Sequence, residues 1–384
     1  MKLSELKQKK IALWGFAVEG KATAQYLDKH GIAFTVLCPE SEKPAEFPCI
    51  CDSVDTALLN RFEVIIKSPG ISAYDECLKS SNAIFTSATA IWFANEKQTK
   101  VIAVTGTKGK STTSSLVAHV LKNSGKTVNL VGNIGKPLIL SSSDYDYIVM
   151  EVSSFQAFDG NIQADYAIVL NLFAEHLDWH HGKENYFSDK LKLLQNATIK
   201  IINKKNKTLL NLVQQNFSNQ DVLYFNDDKT YKIMADCIYF NAKKILCLSE
   251  IQLLGKHNLE NILAVLKICD VLNIALNSTL KAIKSFNPLP HRLQKLGKIG
   301  KHFAINDSIA TTPMATIAAL KTVDLAITTL IIGGYDRGHD WCDFVRQLCE
   351  IKPFLIIIAG ANSKKLTPLF AKSTQAVAYL QADD

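Results

Sequence analysis

The chain contains no uninterrupted apolar stretch approaching the eighteen or so residues that a membrane span requires, so no segment reads as a transmembrane helix. Its nine cysteines, an odd number, include no Cys-x-x-Cys pair, and several, among them Cys247, Cys269 and Cys349, sit inside apolar runs. That usage speaks against a disulfide or zinc framework and predicts reduced core thiols in a reducing compartment. There is no internal repeat and no low-complexity tract. Nor is the net charge of +7 concentrated: the densest basic run, Lys200 to Lys207, has no interleaved aromatics and reads as a solvated face rather than a nucleic-acid surface. A mild positive balance suits small anionic substrates. What is present is 384 residues, 47% of them apolar, enough for two or three domains with cores of their own. The expectation is a cytoplasmic monomer with neither nucleic-acid nor membrane partners.

Strand and helix signals alternate, which predicts α/β architecture. A first block, residues 1–96, has strands at Ile11–Trp14, Ala33–Leu37 and Val64–Lys67, with helices beginning near Gly20 and Ala88, and reads as Rossmann-like. A second, residues 97–290, has a strand at Val101–Val104, a helix from Lys110 to Asn123 and buried strands at Tyr147–Val152 and Tyr166–Asn171. Within it, the Lys- and Asn-rich stretch from Asn203 to Leu248 is expected to form hairpins at the sheet edge, followed by a helix from Leu259 to Leu272 and a stiff Pro288-Leu289-Pro290 linker. A third, residues 291–384, has strands at Phe303–Asn306, Thr329–Ile332, Phe354–Ala359 and Ala376–Leu380. It stops where a further helix and strand are expected, a shortened Rossmann-like unit.

The most informative segment is Val104-Thr105-Gly106-Thr107-Lys108-Gly109-Lys110-Ser111-Thr112, set between a strand and a helix. In that context backbone amides and a helix N-terminus cradle phosphates, a lysine neutralises the β/γ oxygens, and a hydroxyl faces Mg²⁺. Gly106 lies three residues before Gly109, not the five of G-x-x-x-x-G-K-[ST], so a shorter loop is implied. The bland alternative is a glycine turn that merely joins strand to helix. Open parallel sheets bind ligands beyond the carboxyl ends of their strands. Glu151 and Asn171, at two such ends, are therefore expected beside the loop, although a strand-end glutamate alone is often an ordinary surface charge. Just past the second end, Glu175, His176, Asp178 and His180 gather imidazoles and carboxylates suited to a metal or phosphate site; His176 is the candidate ligand, with His180 and His181 read as structural.

These pieces, with Ser68-Pro69-Gly70-Ile71, Gly132-Asn133-Ile134-Gly135, Glu151-Val152-Ser153-Ser154-Phe155-Gln156, Leu254 to Asn261, Leu289-Pro290-His291-Arg292 and Asn306-Asp307-Ser308, resemble the Mur ligases in order and spacing over nearly the whole chain. The resemblance is to the branch that adds glutamate to UDP-N-acetylmuramoyl-L-alanine in peptidoglycan precursor synthesis. It implies ATP and Mg²⁺ as cofactors and an acyl-phosphate intermediate. It also implies catalytic Lys110, Glu151, His176 and Lys190, with Ser111, Thr112, Glu151, His176 and Lys190 as metal-facing groups. Lys190 matches the family lysine that CO₂ carbamylates; its own sequence context would have made it a surface lysine. ATP is implied to meet Gly106, Thr107, Lys108, Gly109, Lys110, Ser111, Thr112, Asn258, Asn261, Arg292 and Asp307, the last two requiring closure of the third block. Gly15, Ser68, Pro69, Gly70 and Asn133 are implied along the UDP-sugar, though turn and cap chemistry also favours such residues.

Departures from the pattern shape the expected activity. Ala17 stands where the first loop usually has a glycine, Ile309 where many members carry lysine, and Arg337 where a lysine commonly meets glutamate; an arginine there would grip a carboxylate bidentately. The implied reaction is D-glutamate addition. With Leu13-Trp14-Gly15 and Glu19-Gly20-Lys21, these traits also fit an L-glutamate-adding branch. Because nothing after Ala359 matches the family's Ser-Pro-containing segment, a shortened, non-catalytic nucleotide-binding remnant is the alternative from another class; a plain P-loop kinase or ATPase is a third.

Overall fold

The computed structural model describes residues 1–217, 222–334, 340–373 and 377–382. They form two compact units, one of residues 1–246 and 260–284, the other of 247–259 and 285–384. The boundary passes through the helix His257–Val271.

The first unit contains two parallel sheets. In one, β1 (Ile11–Trp14), β2 (Thr35–Leu37), β3 (Cys49–Ile50), β4 (Val64–Lys67) and β5 (Ile84–Thr86) take the order β3-β2-β1-β4-β5 with every neighbour parallel. Strands covered on both faces need continuous apolar runs, and Ile11–Leu13 and Val64–Ile66 are buried accordingly. The strand order reverses between β1 and β4, opening a crevice at their carboxyl ends, where Gly15 and Ser68 follow directly.

The other sheet holds β6 (Lys100–Thr105), β7 (Val128–Gly132), β8 (Tyr147–Glu151), β9 (Tyr166–Val169), β10 (Ile199–Asn203) and β11 (Val222–Phe225) in the order β11-β10-β9-β6-β8-β7, again all parallel. The chain lays β7 and β8 on one side of β6, then crosses to build β9, β10 and β11 on the other. The switch point is thus the carboxyl end of β6, where the glycine-lysine loop begins.

The stretch Asn203–Leu248 differs from its expectation. It contains a helix, Lys207–Asn216, capped by the Asn206 side chain, and then β11, which extends the parallel sheet. Only Leu209 and Val213 of that helix are buried, an apolar stripe too thin to announce it. The hairpin signal belongs to a separate sheet, β12 (Tyr231–Met234), β13 (Cys237–Phe240) and β14 (Lys243–Cys247). Its two-residue turn Asn241-Ala242 has positive φ at both positions, as tight hairpins need, so the outer ends of β13 and β14 face each other. Cys237 and Cys247, at those ends, are disulfide-bonded, which corrects the reading of Cys247 as a reduced core thiol.

In the second unit β15 (Gln294–Ile299) and β16 (His302–Asn306) form an antiparallel hairpin, and β17 (Thr329–Gly333), β18 (Leu355–Ala359) and β19 (Tyr379–Gln381) a parallel sheet. Its core joins Ile317, Leu320, Phe344, Leu348, Ile356, Ile358 and Phe370. Ala376, expected to open the last strand, lies outside the described residues. No helix among the described residues is long and apolar enough to cross a membrane.

Candidate active site

The loop after β6 is held by side chains from the segment after β9. Asn171 accepts from the Lys108 amide through Oδ1 (2.9 Å) and donates to the Lys108 carbonyl through Nδ2 (3.1 Å), while the Thr107 amide donates to the Asn171 carbonyl (3.0 Å). Thr107 Oγ1 accepts from the Phe173 amide (2.9 Å) and meets the Tyr186 hydroxyl (3.0 Å); Lys108 pairs with Glu175. Gly109 has φ +87°, and a Cβ there would strike the Asn261 side chain, so the helix Lys110–Asn123 can begin here only from glycine. Lys110 Nζ folds back onto the Gly106 and Thr107 carbonyls (3.0 Å each). Ser111 is buried and Thr112 half-buried in the first helical turn. The loop is therefore pre-shaped, its amides at a helix N-terminus.

Glu151 ends β8, hydrogen-bonded to β6 through the Val104–Glu151 register, and is 1% exposed. Asn133 Nδ2 donates to its Oε1 (3.0 Å), but its Oε2 is buried without a hydrogen-bond partner. A buried carboxylate oxygen left so is costly unless a cation or donor meets it. Lys190, also 1% exposed, comes up from the helix Lys183–Gln195; its Nζ donates to the Gly106 carbonyl (3.3 Å) and the Thr105 hydroxyl (3.4 Å) and lies 5.1 Å from the Tyr186 ring centre. Burial, and then the Lys110 ammonium, hold this amine well below the ordinary lysine range. The sequence context that marked it as a surface lysine is thus misleading: Leu191, Leu193 and Leu194 turn that side of the helix inward. His176 stands at the start of the short helix Leu177–His180 with φ +55°, 5.2 Å from the Phe155 ring, its imidazole kept below its usual value chiefly by partial desolvation. A buried, orphaned carboxylate, two lysines and a histidine thus converge at the carboxyl edge of one sheet.

His180 is fully buried: Nδ1 meets Asp189 Oδ2 (2.7 Å) and Nε2 meets Ser154 Oγ (2.9 Å). Asp189 also accepts from the Tyr74 hydroxyl (2.9 Å) and pairs with Lys192 (3.1 Å). The residue before Lys190 is therefore anchored from three directions, one of them residues 1–96. Further contacts tie those residues to the second sheet: Trp179 Nε1 donates to the Gly70 carbonyl (3.2 Å), and Lys67 pairs with Asp159 (2.9 Å). Beside them lies a cleft of about 370 Å³, lined by Glu19, Pro69, Gly70, Asn133, Ser153, Phe155 and Gln156 among others. Gly15 and Ser68 meet each other, Ser68 Oγ donating to the Gly15 carbonyl (3.2 Å); with φ +93°, and a Cβ that would come within 2.7 Å of Ser68 Oγ, Gly15 admits no side chain. Sequence reading missed Tyr74, Ser154, Asp189 and Tyr186, and had no role for Glu19, Lys67 and Asp159; Ser154 and Glu19 lie inside quoted motifs, but the contacts that give these residues their places join segments distant in sequence.

Residues 104–269 match the family described as Mur ligase middle domain. The UDP-N-acetylmuramoyl-L-alanine--L-glutamate ligase of Xanthomonas euvesicatoria pv. vesicatoria is 37% identical over 98% of this chain and 85% of its own length. The chain belongs to the Mur ligase family. Members of this family are ATP-dependent, amide-forming ligases, which makes this Mur ligase an enzyme of that class. The UDP-N-acetylmuramoylalanine--D-glutamate ligase of Oenococcus oeni is 35% identical over 86% of this chain and 77% of its own. Among solved structures, the UDP-N-acetylmuramate-alanine ligase MurC of Thermotoga maritima superposes with a TM-score of 0.65 at 19% identity, covering 97% of this chain and 91% of that one, a likeness of fold.

The remaining candidate residues of this Mur ligase are divided between the units. Asn261 lies in the first, against Gly109. Asn258, Arg292 and Asp307 lie in the second. Asn258 is buried and its Nδ2 donates to the Leu254 carbonyl (2.7 Å). Asp307 accepts from the Leu293 amide (2.9 Å), and burial raises its carboxyl against the opposing pull of that amide, Arg292 and His257. Ile309 is exposed and Ala17 caps the helix Val18–Lys29 without a side-chain bond. Arg337 lies outside the described residues.

Proposed function

We propose that this Mur ligase joins L-glutamate to the terminal carboxylate of UDP-N-acetylmuramoyl-L-alanine at the expense of ATP, in peptidoglycan precursor synthesis. The observation that carries the reading is the orphaned Glu151 carboxylate beside a phosphate loop and a buried, readily deprotonated lysine. L-glutamate is chosen over D-glutamate because the relatives named for it match more of the chain, and because the Leu13-Trp14-Gly15 and Glu19-Gly20-Lys21 segments point the same way.

In this proposal residues 1–96 with Gly15, Ser68, Pro69, Gly70 and Asn133 serve the UDP-sugar, residues 97–290 the ATP, and residues 291–384 the amino acid, with Arg337 as the glutamate contact. Gly106, Thr107, Lys108, Gly109 and Asn261 shape the phosphate cradle, and Asn258, Arg292 and Asp307 serve the nucleotide. The alanine carboxylate attacks the γ-phosphorus, releasing ADP and giving an acyl phosphate; the glutamate amine then attacks the acyl carbon, phosphate leaves, and the amine gives up a proton. Lys110 and the loop amides stabilise charge on the transferring phosphoryl oxygens. The donor set fits Mg²⁺, a hard cation that takes oxygen ligands: Ser111, Thr112 and Glu151 would hold it, with His176 and a carbamylated Lys190 at a second position, and it would supply further charge neutralisation. Lys190 suits that modification because a neutral amine is the form that adds CO₂, losing a proton to become a carbamate anion.

Purified protein incubated with UDP-N-acetylmuramoyl-L-alanine, ATP, Mg²⁺ and either enantiomer of glutamate tests the reading by product mass. The expected result is one amide product with L-glutamate, absent from Lys110→Ala. Product with D-glutamate alone overturns the enantiomer, and product with neither overturns the ligase reading.

A further inference from the structure

Away from this site, the first sheet gathers three thiols. Cys38 follows β2, Cys49 opens β3 and Cys51 follows it. Two residues apart on extended chain, Cys49 and Cys51 share a face, and the parallel register Val36↔Cys49, Leu37↔Ile50 brings Cys38 alongside. The sulfurs of Cys38 and Cys49 are 3.5 Å apart and those of Cys49 and Cys51 3.3 Å, with all three inside 4.8 Å. A disulfide would need about 2.05 Å. Sulfurs at about 2.3 Å around a tetrahedral cation stand roughly 3.8 Å apart, a few tenths of an ångström from what is seen. The exposed Glu40 carboxylate, which pairs with Lys43 (2.9 Å), is near enough to Cys51 for the two to interact and offers an oxygen donor at the open side, and Cys49 and Cys51 are only half-buried, so an ion has a way in.

We propose that Cys38, Cys49 and Cys51, with Glu40 as fourth donor, bind a thiophilic divalent cation of the zinc type. Sulfur donors select such an ion over Mg²⁺, which separates this site chemically from the carboxylate at Glu151. Without an ion, burial raises all three thiols, so the ion must displace their protons to bind. Bound there, it would close the segment between Cys38 and Cys49, whose Phe47 packs 6.4 Å from Phe16 next to Gly15, and would so brace the turn that borders the substrate cleft. Zinc sites announced by sequence pair their cysteines within one short motif; here the third thiol comes from a neighbouring strand, which a search for Cys-x-x-Cys passes over.

The test uses the full chain, kept under argon so that its free thiols stay reduced and the disulfide at Cys237 and Cys247 stays intact, titrated with Cd²⁺ and Co²⁺ in excess Mg²⁺ and followed by thiolate-to-metal charge-transfer absorption, with Zn²⁺ as competitor. The expected result is one ion per chain with the intensity of three thiolates, displaced by Zn²⁺, and at least a tenfold loss of affinity in Cys49→Ser/Cys51→Ser. Cys77→Ser should leave the band unchanged. Glu40→Gln, at an exposed position that folding does not need, should weaken binding while keeping the three-thiolate band, and serves if the double variant does not fold. Absence of the band in the native chain, or its retention at equal affinity in the double variant, overturns the site. Glu40→Gln with unchanged affinity overturns the fourth donor. None of these readouts requires ligase activity, so the site and the proposed reaction stand or fall separately.

Discussion

Tyr74→Phe removes one oxygen and leaves the rest of the ring in place. The ring keeps its neighbours Phe158, Trp179 and His181, at centroid distances of 5.7, 6.2 and 5.6 Å, so packing changes little. What is lost is the hydroxyl that donates to Asp189 at 2.9 Å. The Asp189 carboxylate is buried, and it retains the His180 contact at 2.7 Å and the Lys192 contact at 3.1 Å, so the variant weakens the anchor without stranding a charge. A hydrogen bond to a charged group contributes about 1.5–3 kcal/mol, and removing a half-buried donor from a buried carboxylate belongs toward the lower half of that range, about 2 kcal/mol. For a unit of this size that is a fall in Tm of about 4–8 °C. Urea unfolding followed by tryptophan fluorescence, with Trp179 packed against the substituted ring, measures the change; combining it with Asp189→Asn in a double-mutant cycle should give a coupling of about 1–2 kcal/mol. A loss below about 0.5 kcal/mol, within the range of ordinary surface substitutions, would refute the argument that this contact ties residues 1–96 to the helix bearing Lys190.

Glu151→Gln keeps an oxygen for Asn133 but lacks the anionic charge; it is expected to fold with stability within about 1 kcal/mol of the native chain and to lose at least about a hundredfold in ligase kcat, by analogy with the loss of one transition-state stabiliser, and near-native turnover would remove Glu151 from the site. Gly109→Ala, forced to positive φ against Asn261, should cost about 1–3 kcal/mol in thermal unfolding and abolish ATP binding by calorimetry; unchanged nucleotide affinity would count against the cradle. Burial, then Asp159, raise the Glu19 carboxyl from 4.5 to about 7, with Gln156 and Lys67 opposing. Because the folded state holds this proton more tightly than the unfolded chain, the contribution of Glu19 to stability is full below pH 4.5 and is lost as pH rises to about 7. At about 1.4 kcal/mol per unit the loss is at most about 3 kcal/mol. Urea unfolding of the native chain and Glu19→Gln between pH 4.5 and 8 should show a shallower fall in the variant; parallel curves would contradict the assignment.

The framework of the fold was legible because its strands declare themselves. Ile11–Trp14, Val64–Lys67 and the helix Lys110–Asn123 were expected at the bounds they occupy, since buried parallel strands and a helix begun by a glycine-lysine loop leave continuous local signals. Edge and polar elements did not. Cys49–Ile50 is two residues long, Gln294–Ile299 is almost wholly exposed, and both are strands because a partner supplies the hydrogen bonds. The same division holds at the site. Glu151 and Asn171 were placed by a rule about strand ends. The positions of Lys190, Asp189 and Tyr74 depend on a helix packing its leucine side inward and on a contact over 115 positions of sequence, for which no window of the chain carries a pattern. For Lys190 the local sequence gave the wrong environment, a surface position where the side chain is buried.

That contrast explains why the buried lysine is tolerable. An ammonium taken fully out of water costs several kcal/mol unless it is paired or discharged, and the hydrogen bonds of Lys190 are to a carbonyl and a hydroxyl at 3.3 and 3.4 Å, while burial and the Lys110 charge outweigh the pull of Glu175 and Glu151. The surroundings do not solvate a cation; they favour its removal. Meanwhile Glu151, an anion nearby, has an oxygen with no donor, and does not supply a direct ion pair to the amine. A site that disfavours its own lysine's charge while leaving a carboxylate unsatisfied is strained as it stands. Under the proposed reading, carbamylation of Lys190 would replace the disfavoured cation with an anion, and a divalent cation would supply the partner that the Glu151 oxygen lacks. The Tyr74–Asp189–His180–Ser154 hydrogen bonds bear on the same point, since they anchor the helix that carries Lys190.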